Sequence, residues 1–239
     1  TMLGDTGVAV NPRDKRYSSF IGKKIILPIV NKEIPIFSDE YVDKDFGTGC
    51  VKITPAHDPN DFEMGQRNNL ELINIMHPNA SLNDNVPELF KGMDRKEARK
   101  RVVEEMEKHG FLEKIEDYTH KVGHSERTDA VVEPYVSKQW FVDMKKLVGP
   151  AIDCVKNGEV KFYPERWTKT YYHWLDNIKD WCISRQLWWG HQIPAWYGPD
   201  NKSFVALSLD DAQSMANNYY GKKVKLKQDE DVLDTWFSS

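Results

Sequence analysis

The alternation of apolar and polar positions is sharpest at Cys50–Thr54. There Val51 and Ile53 fall on one face of a strand, and Lys52 and Thr54 on the other. Pro55 ends the strand. Asp58 followed by Pro59 has the pattern of a helix N-cap with proline at the first helical position, and Asp61 falls near the third. The run Gly47–Glu63 (GTGCVKITPAHDPNDFE) therefore predicts a strand that delivers polar side chains beside a helix N-terminus, which suits a small-molecule pocket. Upstream, Gly22–Phe37 holds two β-rich runs around Asn31-Lys32 and predicts a hairpin. Pro28 and Pro35 point its strands toward edges or bulges. Leu72–Met76 (LINIM) predicts a further short strand. A helical period takes over at Asp94–His109: Ala98, Val102 and Met106 form an apolar stripe, Asp94 and Glu97 a capping box, and Gly110 a stop. Its other face carries Arg95, Lys96, Arg99, Lys100 and Arg101, which reads as a solvated face or, more sharply, as a phosphate-backbone contact.

The second half is aromatic and helix-patterned. Lys138–Val155 predicts a helix interrupted at Gly149-Pro150, and Arg166–Ile178 an amphipathic helix with Trp167, Tyr171 and Trp174 on one side. Asp180–Tyr197 (DWCISRQLWWGHQIPAWY) follows, then a polar insertion at about 198–228, and the chain ends on DEDVLDTWFSS. Of eight tryptophans, most lie between Trp140 and Trp196, so the two halves differ in composition and two domains are expected, 1–137 and 138–239. The abrupt start at Thr1 and the abrupt end suggest a piece of a larger protein.

Composition narrows the class. A chain of 239 residues, 40% hydrophobic and 29% charged, can bury a substantial core and carries no run apolar enough to cross a membrane. No signal-peptide layout opens it. Cys50, Cys154 and Cys182 are isolated and odd in number, which argues against a disulfide framework and for a cytoplasmic protein. A net charge of −4 does not advertise nucleic-acid binding, although a local basic patch would suffice.

The residues alone leave the chemistry open. Asp58 and Asp61 suffice as helix caps, worth about 1 kcal/mol together. A carboxylate is also the right group for a substrate ammonium, with Lys52 and Thr54 binding a carbonyl or hydroxyl. His57 beside Asp58 and Asp61 permits a metal-hydrolase reading, but the spacing does not match HExxH, and His120 and His124 have no cysteine nearby. No GxSxG elbow, P-loop or GxGxxG occurs in the sequence.

The opening TMLGDTGVAVNP, the run GTGCVKITPAHDPNDFE, and DWCISRQLWWGHQIPAWY with DEDVLDTWFSS together resemble the valyl-tRNA synthetases, a class I family. The resemblance covers most of the chain and is weakest in the insertion. It implies an α/β protein. A β-rich, barrel-like editing domain with surrounding helices would occupy 1–137, followed by an α-rich part of a Rossmann-type catalytic domain. The implied activity is hydrolysis of mischarged threonyl-tRNA(Val). Threonine is nearly isosteric with valine, and a hydrophobic pocket rejects the added hydroxyl by only about 10²-fold, the known figure for the valine enzyme itself and not one derived from this chain. A second, polar site that accepts threonine solves the problem.

By the same resemblance, Thr1, Phe46, Lys52, Thr54, Asp58 and Asp61 line the editing pocket, with Thr1 the end of a strand. Phe46 would form a wall near the terminal adenosine or the aminoacyl group, and Asp58 or Asp61 would hold the α-ammonium. No protein nucleophile is implied: a positioned water attacks, so Asp58 acts by positioning. Trp236 would be a remnant of the synthetic site, near the valine pocket. The partner implied is the aminoacylated 3′ end of tRNA(Val), and a monomer is expected. Editing needs no cofactor. ATP and magnesium belong to the full-length enzyme, and the HIGH and KMSKS signatures that bind ATP are absent from this sequence. Zinc is not expected, because neither His124-Ser125-Glu126-Arg127 nor the stretch after Trp196-Tyr197 carries the cysteine pairs of many relatives. A tRNA-binding or structural module without activity, and a metal-dependent hydrolase, remain as alternatives.

Overall fold

Two glycines and a short turn prepare the sheet of the first unit: Met2–Gly4 forms a 3-10 turn, and Gly7 opens β1 (Gly7–Val10). The computed structural model describes residues 1–126 and 128–239; Arg127, the last of the four residues weighed for zinc, lies outside them. The chain divides into two units, Thr1–Ser137 and Lys138–Ser239.

In the first unit, β2 (Lys24–Leu27), β3 (Lys32–Ser38), β1 and β4 (Cys50–Ile53) form a sheet in the order β2-β3-β1-β4. β1 runs parallel to β3, with Val8 opposite Ile36, and antiparallel to β4, with Val8 opposite Lys52. The sheet is thus open at β2 and β4. Helix α1 (Pro59–Arg67) follows β4, and Ala9, Val42, Ile53 and Met64 make the core beneath it. Helix α2 (Arg95–Lys108) closes a second core around Leu3, Ile75, Met76, Leu82, Phe90 and Ala98.

The hairpin is present, but β3 is an inner strand rather than an edge. Pro35 is tolerated because the parallel ladder to β1 starts one residue later, at Ile36, while Ile36 N donates to Lys23 O on the β2 side. Pro28 sits in the turn that joins the strands. Leu72–Met76 is not a strand; only Met76 makes a bridge, to Leu82. Side chains take over its backbone bonds: His57 Nε2 accepts from Ile75 N at 3.0 Å, and the Asn83 and Asn85 amides donate to Asn74 O. At the start of α2, Asp94 accepts from Lys96 N at 2.8 Å, with no return bond from Glu97 among the described residues. Its end is a Schellman closure, Gly110 N to Glu107 O and Phe111 N to Met106 O.

The second unit holds α3 (Met144–Lys156), α4 (Trp167–Asp176), α5 (Leu209–Tyr220) and α6 (Thr235–Ser238). The helix expected from Lys138 starts only at Met144, because β5 (Phe141–Val142) precedes it and pairs with β6 (Trp181–Cys182). It runs through Pro150 without stopping. A proline there costs about 3 kcal/mol or more; the bond from Tyr171 OH on α4 to Ala151 O at 2.7 Å helps hold the turn that follows. Strand β7 (Ser184–Arg185) pairs with β11 (Val232–Leu233), and β8 (Ala195–Tyr197) lies between β9 (Ser203–Val205) and β10 (Lys227–Gln228). The polar insertion is therefore folded. α5 is capped by Ser208 and Gly221, and it packs Ala212 and Ala216 against Trp196 and Phe204. No helix among the described residues is long and apolar enough to cross a membrane.

Candidate active site

The alternation that sets Lys52 on one face of β4 carries on to Thr54, one residue past its end, and their side chains meet: Lys52 Nζ donates to Thr54 Oγ1 at 2.7 Å. Thr54, 1% exposed, passes its own hydroxyl proton on to Asp5 Oδ1. Lys52 Nζ also reaches Asp5 Oδ1 at 3.4 Å and Thr1 Oγ1 at 3.3 Å. The ammonium thus spends its three donors inside the cluster. Each bond polarises the next, so this chain of donors runs one way, from Lys52 through Thr54 to Asp5.

Asp5 is the residue that sequence reasoning missed. It is 2% exposed, and burial raises its pKa against the opposing pull of Lys52. The backbone delivers it: Asp5 N donates to Met2 O, and Thr6 N to Ile53 O. Gly4 makes this approach feasible, since a Cβ there would lie 2.9 Å from Ile75 Cγ2 and 3.0 Å from Ile73 O. An acidic residue just before the apolar run Gly7–Val10 was the available signal. No spacing rule ties it to residues 47 and 49 positions away. Thr1 lies at the head of the 3-10 turn and not in a strand.

Beyond the same end of β4, Asp58 Oδ1 caps α1 by accepting from Asn60 N at 2.8 Å and Asp61 N at 3.1 Å. Asp61 Oδ2 turns back to accept from Thr54 N at 2.8 Å, stitching the helix start to the strand end. Asp61 is 8% exposed, and burial raises its pKa. Each aspartate gives one oxygen to the fold, and its other oxygen has no partner among the described residues. Both sit where the helix dipole favours negative charge.

His57 is structural. Nε2 accepts from Ile75 N, so Nδ1 carries the proton and donates to Pro134 O at 3.1 Å. Burial lowers its pKa. Both ring nitrogens are occupied, and among the described residues no group of three His, Cys, Asp or Glu side chains is arranged to hold a metal ion.

A cavity of about 540 Å³ opens beside Thr1 and Lys52, walled further by Ile75, Arg95, Val102 and Glu133. Phe46, Thr54, Asp58 and Asp61 do not line it. Phe46 stands in the turn before β4, 66% exposed. Trp236 belongs to the second unit, in α6 behind its cap Asp234, and is 85% exposed. The fold therefore joins Thr1, Asp5 and Thr54 through Lys52, links Thr54 to Asp61 and Asp58, and among the described residues of the first unit leaves Phe46 without a bond to either group.

A model of class I tRNA synthetases (I, L, M and V) matches residues 7–239. The valine–tRNA ligase of Fusobacterium nucleatum is 55% identical over all of this chain, which spans 27% of that protein. Those of Clostridium tetani and Thermotoga maritima are each 56% identical over the same share. The chain thus spans about a quarter of the length of these relatives (27% in each).

Proposed function

Since the chain belongs to the class I tRNA synthetases of the isoleucine, leucine, methionine and valine group, we propose that its first unit is the editing site of a valine–tRNA ligase, hydrolysing threonyl-tRNA(Val). The observation that carries this reading is the Lys52–Thr54–Asp5 cluster: an ammonium and a hydroxyl backed by a buried carboxylate, on a strand face where a plain core strand would be apolar.

A site built to hydrogen-bond a hydroxyl discriminates in favour of threonine, whose valine analogue would leave polar groups unpaired. Lys52 exchanges its long bond to Thr1 for the substrate oxygen, while Asp5 and Thr54 hold the ammonium in place. Asp58 or Asp61 offers its second oxygen to the α-ammonium at the helix N-terminus. Water then adds to the ester carbon and the ribose oxygen leaves with a proton, giving threonine and uncharged tRNA. Orientation supplies the rate, and no cofactor enters the step. The wider reading includes a barrel-like editing fold, a Rossmann-type catalytic domain in which Trp236 serves valine binding, ATP and magnesium used only there, and a monomeric cytoplasmic enzyme.

Deacylation of threonyl-tRNA(Val) by the full-length protein is the test, compared with its Lys52→Ala and Asp58→Ala variants. Hydrolysis unchanged in both sinks the assignment. One observation favours a binding or structural module instead: Lys52 is saturated by its own neighbours. Failure of the full-length protein to bind a non-hydrolysable threonyl-adenosine mimic would support that reading. The metal-hydrolase reading loses its central ligand, because His57 is committed at both nitrogens.

A further inference from the structure

The turn that carries Phe46 is held from outside by a loop that the proposed chemistry does not use. Arg16 lays its guanidinium fork on the buried carboxylate of Asp14, Nε to Oδ1 at 3.0 Å and Nη2 to Oδ2 at 2.6 Å. The same Nη2 donates to Lys44 O at 2.7 Å, and Tyr17 OH donates to Thr48 O at 2.8 Å. These bonds grip the backbone two residues before Phe46 and two residues after it.

Within the turn, Phe46 N donates to Asp43 O at 3.3 Å and Gly49 N to Phe46 O at 3.0 Å. Gly47 and Gly49 adopt φ of +56° and +77°. A Cβ on Gly49 would lie 2.6 Å from Arg16 Nη2 and 3.0 Å from both Asp14 Oδ2 and Lys44 O. The guanidinium therefore fills the space that a side chain at position 49 would need. Phe46 itself has no aromatic or cationic ring partner among the described residues and faces solvent.

An exposed ring on a turn with two left-handed glycines has much freedom to lose when a ligand packs on it. The bonds from Arg16 and Tyr17 remove that freedom in advance. We propose that Arg16 and Tyr17 are positioning residues for Phe46, clasping the 43–49 turn so that the ring presents a fixed face to the 3′ end of the RNA. This rests on the editing reading of the first unit and adds to it two residues that touch neither the ester nor the water.

The test is steady-state deacylation of threonyl-tRNA(Val) by the full-length protein, with the melting temperature recorded for each variant. Arg16→Lys keeps the charge but loses the fork, so KM rises about tenfold while kcat holds. Tyr17→Phe removes one donor and raises KM about threefold. Phe46→Ala raises KM at least as far, and adding Arg16→Lys to it produces no further rise, because the clasp then has no ring to place. A KM rise that persists in the Phe46→Ala background overturns the proposal, as does an unchanged KM in Arg16→Lys or a loss confined to kcat and melting temperature. Lys52→Ala separates the two levels. If it abolishes deacylation while Arg16→Lys leaves KM alone, only the clasp falls; if it and Asp58→Ala both leave deacylation intact, the editing reading falls first.

Discussion

Lys52 on β4 and Thr54 just past its end share a hydrogen bond of 2.7 Å, with the Thr54 hydroxyl oriented on to Asp5. Their side chains act as one unit whose charge is anchored by a carboxylate from outside the strand. That coupling makes the variants below unequal in their consequences.

Replacing Lys52 with Met keeps the stem and removes the ammonium. In the full-length protein, deacylation of threonyl-tRNA(Val) is expected to fall about 10- to 100-fold, the worth of a charge-assisted hydrogen bond. Accumulation of threonyl-tRNA during charging measures it. Valine charging should hold its rate.

Thr54→Val preserves shape and deletes the hydroxyl, leaving buried Asp5 short of one donor. Unfolding by urea should show a loss of about 1–3 kcal/mol. Thr54→Ser should recover most of it. Asp5→Asn added to Thr54→Val should also recover part, because a neutral amide is cheaper to bury than a carboxylate left with only the long contact to Lys52. If the double variant is less stable than the single, the cluster has been misread.

Acid should weaken the first unit through His57. Burial holds its pKa below the ordinary 6.5. Between the folded pKa and about 6.5 the unfolded chain binds a proton that the folded chain refuses, so stability rises with pH across that window. The contribution is fully present above about 6.5 and is lost as pH falls through the folded value. His57→Gln keeps a donor and an acceptor but does not titrate. The difference in melting temperature between about pH 7.5 and about pH 5 should shrink in this variant.

In the second unit Asp229 Oδ2 accepts from Trp140 Nε1 at 2.9 Å and Tyr197 OH at 2.7 Å. Asp229→Ala strands both donors in a half-buried place. A loss of about 1–3 kcal/mol is expected, read by denaturation followed through tryptophan emission. Tyr197→Phe should cost less, since it leaves no unpaired donor behind.

Legibility followed locality. β4 and α1 were readable because period-two alternation, Pro55 and the Asp58-Pro59 cap act within a few residues of one another. α2 was readable from its stripe, its cap and Gly110. α5 was missed although Ser208, Asp211 and Gly221 are ordinary cap signals: average polarity hid the small apolar face of Ala212 and Ala216. LINIM alternates like a strand, but nothing in its own sequence says that His57, Asn83 and Asn85 take its backbone bonds.

For the site, the sequence by itself determined that Lys52 and Thr54 share a face and that Asp58 begins a helix, because strand and helix periods are properties of consecutive residues. Tertiary structure alone decided that Asp5 sits under Lys52, that Asp61 turns back onto Thr54, that His57 is spent on the fold, and that Arg16 and Tyr17 grip the Phe46 turn. Those partners lie between 7 and 77 positions apart or across a turn. Hydrogen bonds at such separations are set by how the sheet and its loops pack, and local periodicity carries no record of that.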